Sequence, residues 1–328
     1  MKARIALDAM GGDFAPLVCV KGAELAVRED SEIEVILVGR EDEIKSSLNK
    51  HPQIKVVHAE EFIDMDESPA ISVRRKKDSS INKAISLLKD GQADVFISAG
   101  NTGAVVCAAS LILRLLPDIE RPGIAIIFPT TKGFCLLIDV GANIDPKPMH
   151  LYQYGIMGSA YTELILKKNN PTVGLLNIGE EESKGTDFMK EVNQLLKECS
   201  LNYKGNIEGR DLFLGKYDVV VADGFVGNIA LKVSESVAIA TGEILKKHIK
   251  DGLLAKLGAL MLMPTFKKIK KDIDYTEYGG APLLGVDGNV VICHGSSSDK
   301  AIKNAIKVAK EMVEKDVKQK IKERLHSL

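Results

Sequence analysis

The residues best placed for chemistry lie in five short segments rich in glycine, asparagine and serine. Each follows a run of apolar or β-branched residues. Asp8-Ala9-Met10-Gly11-Gly12-Asp13 comes after the first run and leads to a helix start near Pro16. Ser98-Ala99-Gly100-Asn101-Thr102-Gly103 opens a helical pattern at Ala104. Asp139-Val140-Gly141-Ala142-Asn143, Ala222-Asp223-Gly224-Phe225-Val226-Gly227-Asn228 and His294-Gly295-Ser296-Ser297-Ser298 complete the set. Glycine lets backbone N–H groups approach a ligand, a helix N-terminus adds partial positive charge, and amide or hydroxyl side chains add hydrogen bonds. That combination suits a small anion. Each loop alone also reads as turn and N-cap chemistry. Several such loops on one sheet edge point to an anion crevice.

Two polar stretches supply cations. Ser72-Val73-Arg74-Arg75-Lys76-Lys77-Asp78-Ser79-Ser80 precedes a helix, so its cations and hydroxyls suit phosphate; as a motif alone it reads first as a solvated charge run with a serine cap. Gly179-Glu180-Glu181-Glu182-Ser183-Lys184-Gly185 puts Lys184 either towards the same crevice or among the glutamates. The nucleotide fingerprints are missing: there is no G-x-x-x-x-G-K-[ST], and no G-x-G-x-x-G with its acidic partner after the first strand. There is also no G-x-S-x-G elbow. The five cysteines (Cys19, Cys107, Cys135, Cys199, Cys293) are dispersed and form no C-x-x-C pair, so no disulfide framework, metal site or cofactor is expected.

Those loops need a sheet to hold them. Strands are expected at Arg4–Asp8, Glu34–Val38, Val95–Ser98, Ile124–Phe128, Cys135–Val140, Val173–Ile178, Val219–Ala222 and Val290–Cys293. Several are apolar throughout, as in sheets covered on both faces. Helical patterns follow at Pro16–Arg28, Asn82–Lys89, Ala104–Leu115, Met149–Lys167, Asp187–Glu198, Asn228–Ile249 and from Asp299 to near the C-terminus. The alternation predicts a mostly parallel, doubly wound α/β sheet in one domain over 1–328. With 328 residues, 45% of them hydrophobic, a large core is within reach. A net charge of -1 and the absence of tryptophan argue against a nucleic-acid surface. No signal peptide or membrane span is read, so the chain is placed in the cytoplasm.

An excursion is expected at about 246–278. Leu253, Leu254, Leu257, Leu260 and Met261 fall on one helical face, flanked by Lys246, Lys247, Lys250, Lys267, Lys268, Lys270 and Lys271. A basic-flanked apolar helix reads either as an interfacial anchor on an anionic membrane or as a face packed on a sister subunit or its own core.

Ile5 to Pro16, Arg74 to Ser80, Ser98 to Ala104, Asp139 to Asn143, Asn177 to Gly185, Asp223 to Asn228 and Gly279 to Val286 together resemble, in order, the bacterial phosphate acyltransferase (PlsX) family. The resemblance implies a Rossmann-like α/β/α sandwich and transfer of a fatty acyl group from acyl carrier protein to orthophosphate, at the start of phospholipid synthesis. It also implies a homodimer, peripheral membrane attachment, and a downstream membrane acyltransferase that uses glycerol 3-phosphate. It favours the anchor reading of the excursion. For that reaction the residues expected to act on the thioester and its oxyanion are Lys184, Asn228 and Asn143. Those expected to hold phosphate are Asp8, Gly11, Gly12, Arg74, Lys77, Ser79, Asn101 and Thr102. The rival readings are a phosphotransacetylase-like transfer from coenzyme A, a hydroxy-acid dehydrogenase on a related fold, and a non-catalytic membrane scaffold.

Overall fold

The computed structural model describes residues 2–250, 252–273 and 279–326, the side chains of 253 and 270–273 excepted. In chain order the elements are β1 (Ala3–Asp8), α1 (Leu17–Glu29), β2 (Ile33–Gly39), α2 (Glu41–Ser47), β3 (Ile54–His58), α3 (Pro69–Arg75), α4 (Ser80–Lys89), β4 (Val95–Ser98) and α5 (Thr102–Ala108). Then come β5 (Gly123–Thr130), β6 (Gly133–Ile138), α6 (Pro148–Leu164), β7 (Val173–Leu176), α7 (Asp187–Glu198), β8 (Tyr203–Ile207) and β9 (Val219–Val221). The chain ends with α8 (Gly224–Lys250), α9 (Leu253–Ile273), β10 (Ala281–Leu284), β11 (Asn289–Ile292), α10 (Asp299–Glu314) and α11 (Val317–His326).

The strands join one sheet in the order β3-β2-β1-β4-β11-β10-β5-β6-β9-β7-β8. Helices cover both faces, and buried aliphatic side chains pack above and below it. The architecture is thus the expected mostly parallel α/β sandwich, with one consequential difference. Strands β3, β2, β1, β4 and β11 are mutually parallel, and so are β6, β9, β7 and β8. The two blocks are joined through antiparallel β11–β10, β10–β5 and β5–β6 pairs. They therefore run in opposite senses. The loops after β1, β4 and β11 leave one end of the sheet, and those after β6, β9 and β7 leave the other. The single crevice edge expected from the sequence is two loop clusters.

Three strands escaped the apolar-run reading for separate reasons. β3 and β8 are the sheet's two edges, where Lys55 and His58, and Lys204, Gly205 and Asn206, interrupt the pattern. β10 carries Pro282, which lacks an N–H and argues against a central strand. It is tolerated where β10 changes neighbour: Ala281 and Pro282 face β11, whereas Leu283 and Leu284 face β5. The C-terminal helix expected from Asp299 onward breaks at Asp316, whose φ is 46°.

Within the expected excursion, α8 and α9 pack on each other, and 274–278 lie outside the described residues. Leu254, Leu257, Leu260 and Met261 are exposed, Leu254 and Met261 at 85% and 84%. The Leu253 side chain lies outside the described ones. No described helix is long and apolar enough to cross a membrane.

Candidate active site

The loops after β1, β4 and β11 are tied together from within. The Asp8 carboxylate, 1% exposed, accepts from Ser98 Oγ at 2.7 Å and from the Met10 amide at 3.1 Å, with further hydrogen bonds from Gly11 N and Ser80. Burial raises its pKa above the ordinary carboxylate value, and these donors oppose the rise. The neighbouring Ser79, expected to hold phosphate, is engaged elsewhere. Ser79 is the N-cap of α4, and its side chain accepts from the Asn82 amide.

Gly11 owes its identity to packing. A Cβ there would stand 2.5 Å from Gly100 N and 2.7 Å from Asp8 Oδ2. The Asp13 amide donates to Gly295 O at 2.8 Å. The loop therefore welds three strand ends together, and Asp8, Gly11 and Gly12 do not line the cavity described below. Gly11→Ala is expected to destabilise the fold by about 2 kcal/mol, read as a fall in the urea midpoint.

The second cluster is organised by Asp139. Its Oδ1 accepts from the amides of Ile124 (2.9 Å), Gly141 (3.1 Å) and Ala142 (3.0 Å), and Oδ2 from Asn143 (2.8 Å). The group is fully buried, which raises its pKa, and the four N–H donors oppose the rise. The first turn of α8 runs against this loop so closely that a Cβ on Gly227 would stand 1.9 Å from Asp139 O. Gly224 N donates to Asn143 O at 3.0 Å. This contact fixes where α8 begins, and with it Asn228.

Between the two clusters lies a cavity of about 360 Å³. Thr102 and Gly103, the opening residues of α5, line it on one side; Gly141 with Asn228, Leu231, Lys232 and Glu235 of α8 line it on another. The central strands contribute Ile124, Ile126, Ala281 and Ile292, and the chain after β11 adds His294 and Ser297. The lining is apolar enough for an alkyl group and has polar groups suited to an anion and a carbonyl.

Three asparagines that look alike in sequence differ here. Asn101 caps α5 through Oδ1, accepting from Ala104 N at 3.0 Å, while its Nδ2 donates to the carbonyls of Asp64, Met65 and Glu67. Asn143 Nδ2 donates to Pro122 O and to Tyr154 Oη, both at 2.6 Å. Both side chains are structural staples with their donors engaged. Asn228 lies over Gly141, is exposed, and makes no side-chain hydrogen bond among the described residues.

Of the other expected contacts, Thr102 lines the cavity, whereas Arg74 and Lys77 are exposed near α3 and do not. Lys184 is exposed on the loop after β7, its aliphatic stem against Gly179. It does not line the cavity, but the register aligns Leu175 and Ile138 with Val221, so its loop shares a sheet end with those of Asn143 and Asn228. The sequence places Asp139 and Ser80 in candidate segments without giving either a role of its own, and does not single out Lys232 or Glu235. Asp139 carries a signal as the acidic residue ending a buried strand before a glycine. Among the described residues no group of three or more His, Cys, Asp or Glu side chains is placed to hold a metal.

A family model described as fatty acid synthesis protein matches residues 3–320. The chain belongs to this family. Its relatives include a phosphate acyltransferase from Thermodesulfovibrio yellowstonii, 50% identical over 98% of this chain and 94% of that one. Another, from Dictyoglomus turgidum, is 50% identical over 99% and 98%. Among solved structures, a phosphotransacetylase from Streptococcus pyogenes aligns with TM-score 0.65 at 18% identity, covering 95% of this chain and 94% of that one. A 4-hydroxythreonine-4-phosphate dehydrogenase from Klebsiella pneumoniae aligns with TM-score 0.56 at 13% identity, covering 95% and 100%. These two likenesses concern the fold. Membership of the fatty acid synthesis family, with half-identical acyltransferases over nearly the whole length, makes the chain an acyltransferase.

Proposed function

We propose that the chain transfers a fatty acyl group from acyl carrier protein to orthophosphate within the cavity between α5 and α8. The observation that carries this reading is the unengaged Asn228 amide on a wall that also holds aliphatic side chains, in a chain half-identical to phosphate acyltransferases. An oxygen of hydrogenphosphate attacks the thioester carbon. The tetrahedral intermediate collapses with cleavage of the C–S bond, and the proton carried by phosphate ends on the departing sulfur. No enzyme nucleophile is required. The protein's task is to position the two reactants and stabilise the oxyanion. Asn228 donates to that oxyanion, the start of α5 at Thr102 and Gly103 turns partial positive charge towards the anion, and Lys184 adds a cation from the rim.

A carrier-borne fatty acyl group fits better than acetyl coenzyme A because the polar groups sit among Ile124, Ile126, Leu231 and Ile292. The test is turnover of palmitoyl carrier protein against acetyl coenzyme A at equal phosphate. A higher kcat/KM with acetyl coenzyme A would overturn the assignment of substrate.

The exposed apolar residues of α9 support peripheral attachment to an anionic membrane, where the acyl phosphate would pass to a glycerol 3-phosphate acyltransferase. Ile229, Val233 and Val237 form a stripe along α8, 46%, 56% and 59% exposed, and we assign it to a second copy of the chain. Two anchors in one dimer would add avidity. Leu257→Glu is expected to reduce co-flotation with anionic liposomes at least roughly 10-fold, since a buried charge at an interface costs more than 1.4 kcal/mol. Undiminished flotation would move the anchor elsewhere.

A further inference from the structure

Among the described residues lining the cavity, Lys232 is the only ammonium and Glu235 the only carboxylate. They lie one turn apart on α8, on the face that carries Asn228 and Leu231. Lys232 Nζ donates to Glu235 Oε2 at 3.0 Å. Glu235 Oε1 is buried and has no hydrogen-bond partner among the described residues. A buried carboxylate oxygen without a donor is unfavourable, and neighbouring protein groups ordinarily supply one. Glu235 itself lines the cavity, so a small rotation of its carboxyl group brings Oε1 to a ligand bound there.

A ligand that satisfies this pair must carry negative charge for Lys232 and an acidic hydrogen for Glu235. Hydrogenphosphate has both on one small tetrahedron. Sulfate has the same shape and charge, but at neutral pH it has no hydrogen to give, so its oxygen would face Oε1 with two acceptors opposed.

We propose that Lys232 and Glu235 form a phosphate-reading pair, in which Lys232 meets the anion's charge and Glu235 Oε1 accepts from its P–OH group, rejecting fully deprotonated oxyanions. This rests on reading the cavity as the site of acyl transfer to phosphate. Glu235 also holds Lys232 in place through Oε2, so one side chain both positions the cation and selects the anion. The attacking oxygen is one of the unprotonated ones, and the P–OH stays on Glu235 until the thiolate leaves.

The test is calorimetric titration of the full chain with inorganic phosphate and with sodium sulfate at pH 7, for the parent, Glu235→Gln and Lys232→Met. The parent is expected to bind phosphate roughly 10-fold or more tighter than sulfate, the worth of one hydrogen bond to a charged group. Glu235→Gln keeps the shape but cannot accept from Lys232 and from phosphate together, and its amide donates to sulfate. The preference should fall to about 2-fold or reverse. Lys232→Met should weaken both anions about 10-fold while keeping their ratio. A phosphate-to-sulfate ratio unchanged in Glu235→Gln, no preference in the parent, or undiminished binding by Lys232→Met would each overturn the pair. The titration needs no turnover. A parent that discriminates the anions yet forms no acyl phosphate would retain the pair and sink the reaction; a parent that turns over normally with sulfate as strong a competitor as phosphate would do the reverse.

Discussion

Asp139→Ala is expected to lower the unfolding temperature by roughly 8 °C or more and to abolish activity. Four amides, those of Ile124, Gly141, Ala142 and Asn143, lose their acceptor at once. A buried donor left without a partner costs about 1–3 kcal/mol, so the sum is a large fraction of a typical domain's stability, about 5–15 kcal/mol. The damage reaches the cavity because Asn143 O receives the Gly224 amide and Gly227 packs on Asp139 O. Asp139→Asn separates the two oxygens' roles. It keeps an acceptor for Ile124, Gly141 and Ala142 but turns an amide NH₂ towards the Asn143 N–H. Its loss should be about half that of alanine, measured by thermal unfolding. An alanine variant as stable as the parent would show that the 139–143 loop holds its shape without this carboxylate.

Asn228→Ala is expected to do the opposite: full stability and a loss of about 100-fold or more in kcat, the effect of removing one oxyanion donor. Its side chain makes no hydrogen bond among the described residues, so the fold loses little. Asn143→Ala should invert the pattern, because both hydrogens of its amide are engaged by Pro122 O and Tyr154 Oη. Lys184→Ala, at an exposed loop position, should also fold as the parent does and lose turnover with it. The measurements are steady-state acyl phosphate formation alongside thermal unfolding. If Asn228→Ala turns over within a factor of 3 of the parent, the oxyanion donor is elsewhere.

The contrast among these asparagines marks the limit of what the sequence could say. Residue type announces an amide and a nearby glycine announces a loop, but whether the amide is engaged depends on the carbonyls that tertiary structure brings to it. Asp64, Met65 and Glu67 lie far before Asn101 in the chain, and nothing local signals that they occupy its donors. Lys232 and Glu235 were hidden differently. A lysine and a glutamate three apart in a long helix read as a solvated pair, and only the position of α8 beside the cavity gives them another use. The fold was more legible, since buried parallel strands are continuous aliphatic runs. The reversal of the second half of the sheet was not, because it turns on the tight β5–β6 hairpin at Thr131-Lys132 and on a strand that contains proline. That reversal splits the glycine loops into two clusters and leaves the cavity between them.

The most direct measurement is thiol release from palmitoyl carrier protein by the purified chain, with and without orthophosphate. Release that depends on phosphate, with one acyl phosphate formed per thiol, is the predicted result. Equal release without phosphate, or none with it, would contradict acyl transfer to phosphate in this cavity.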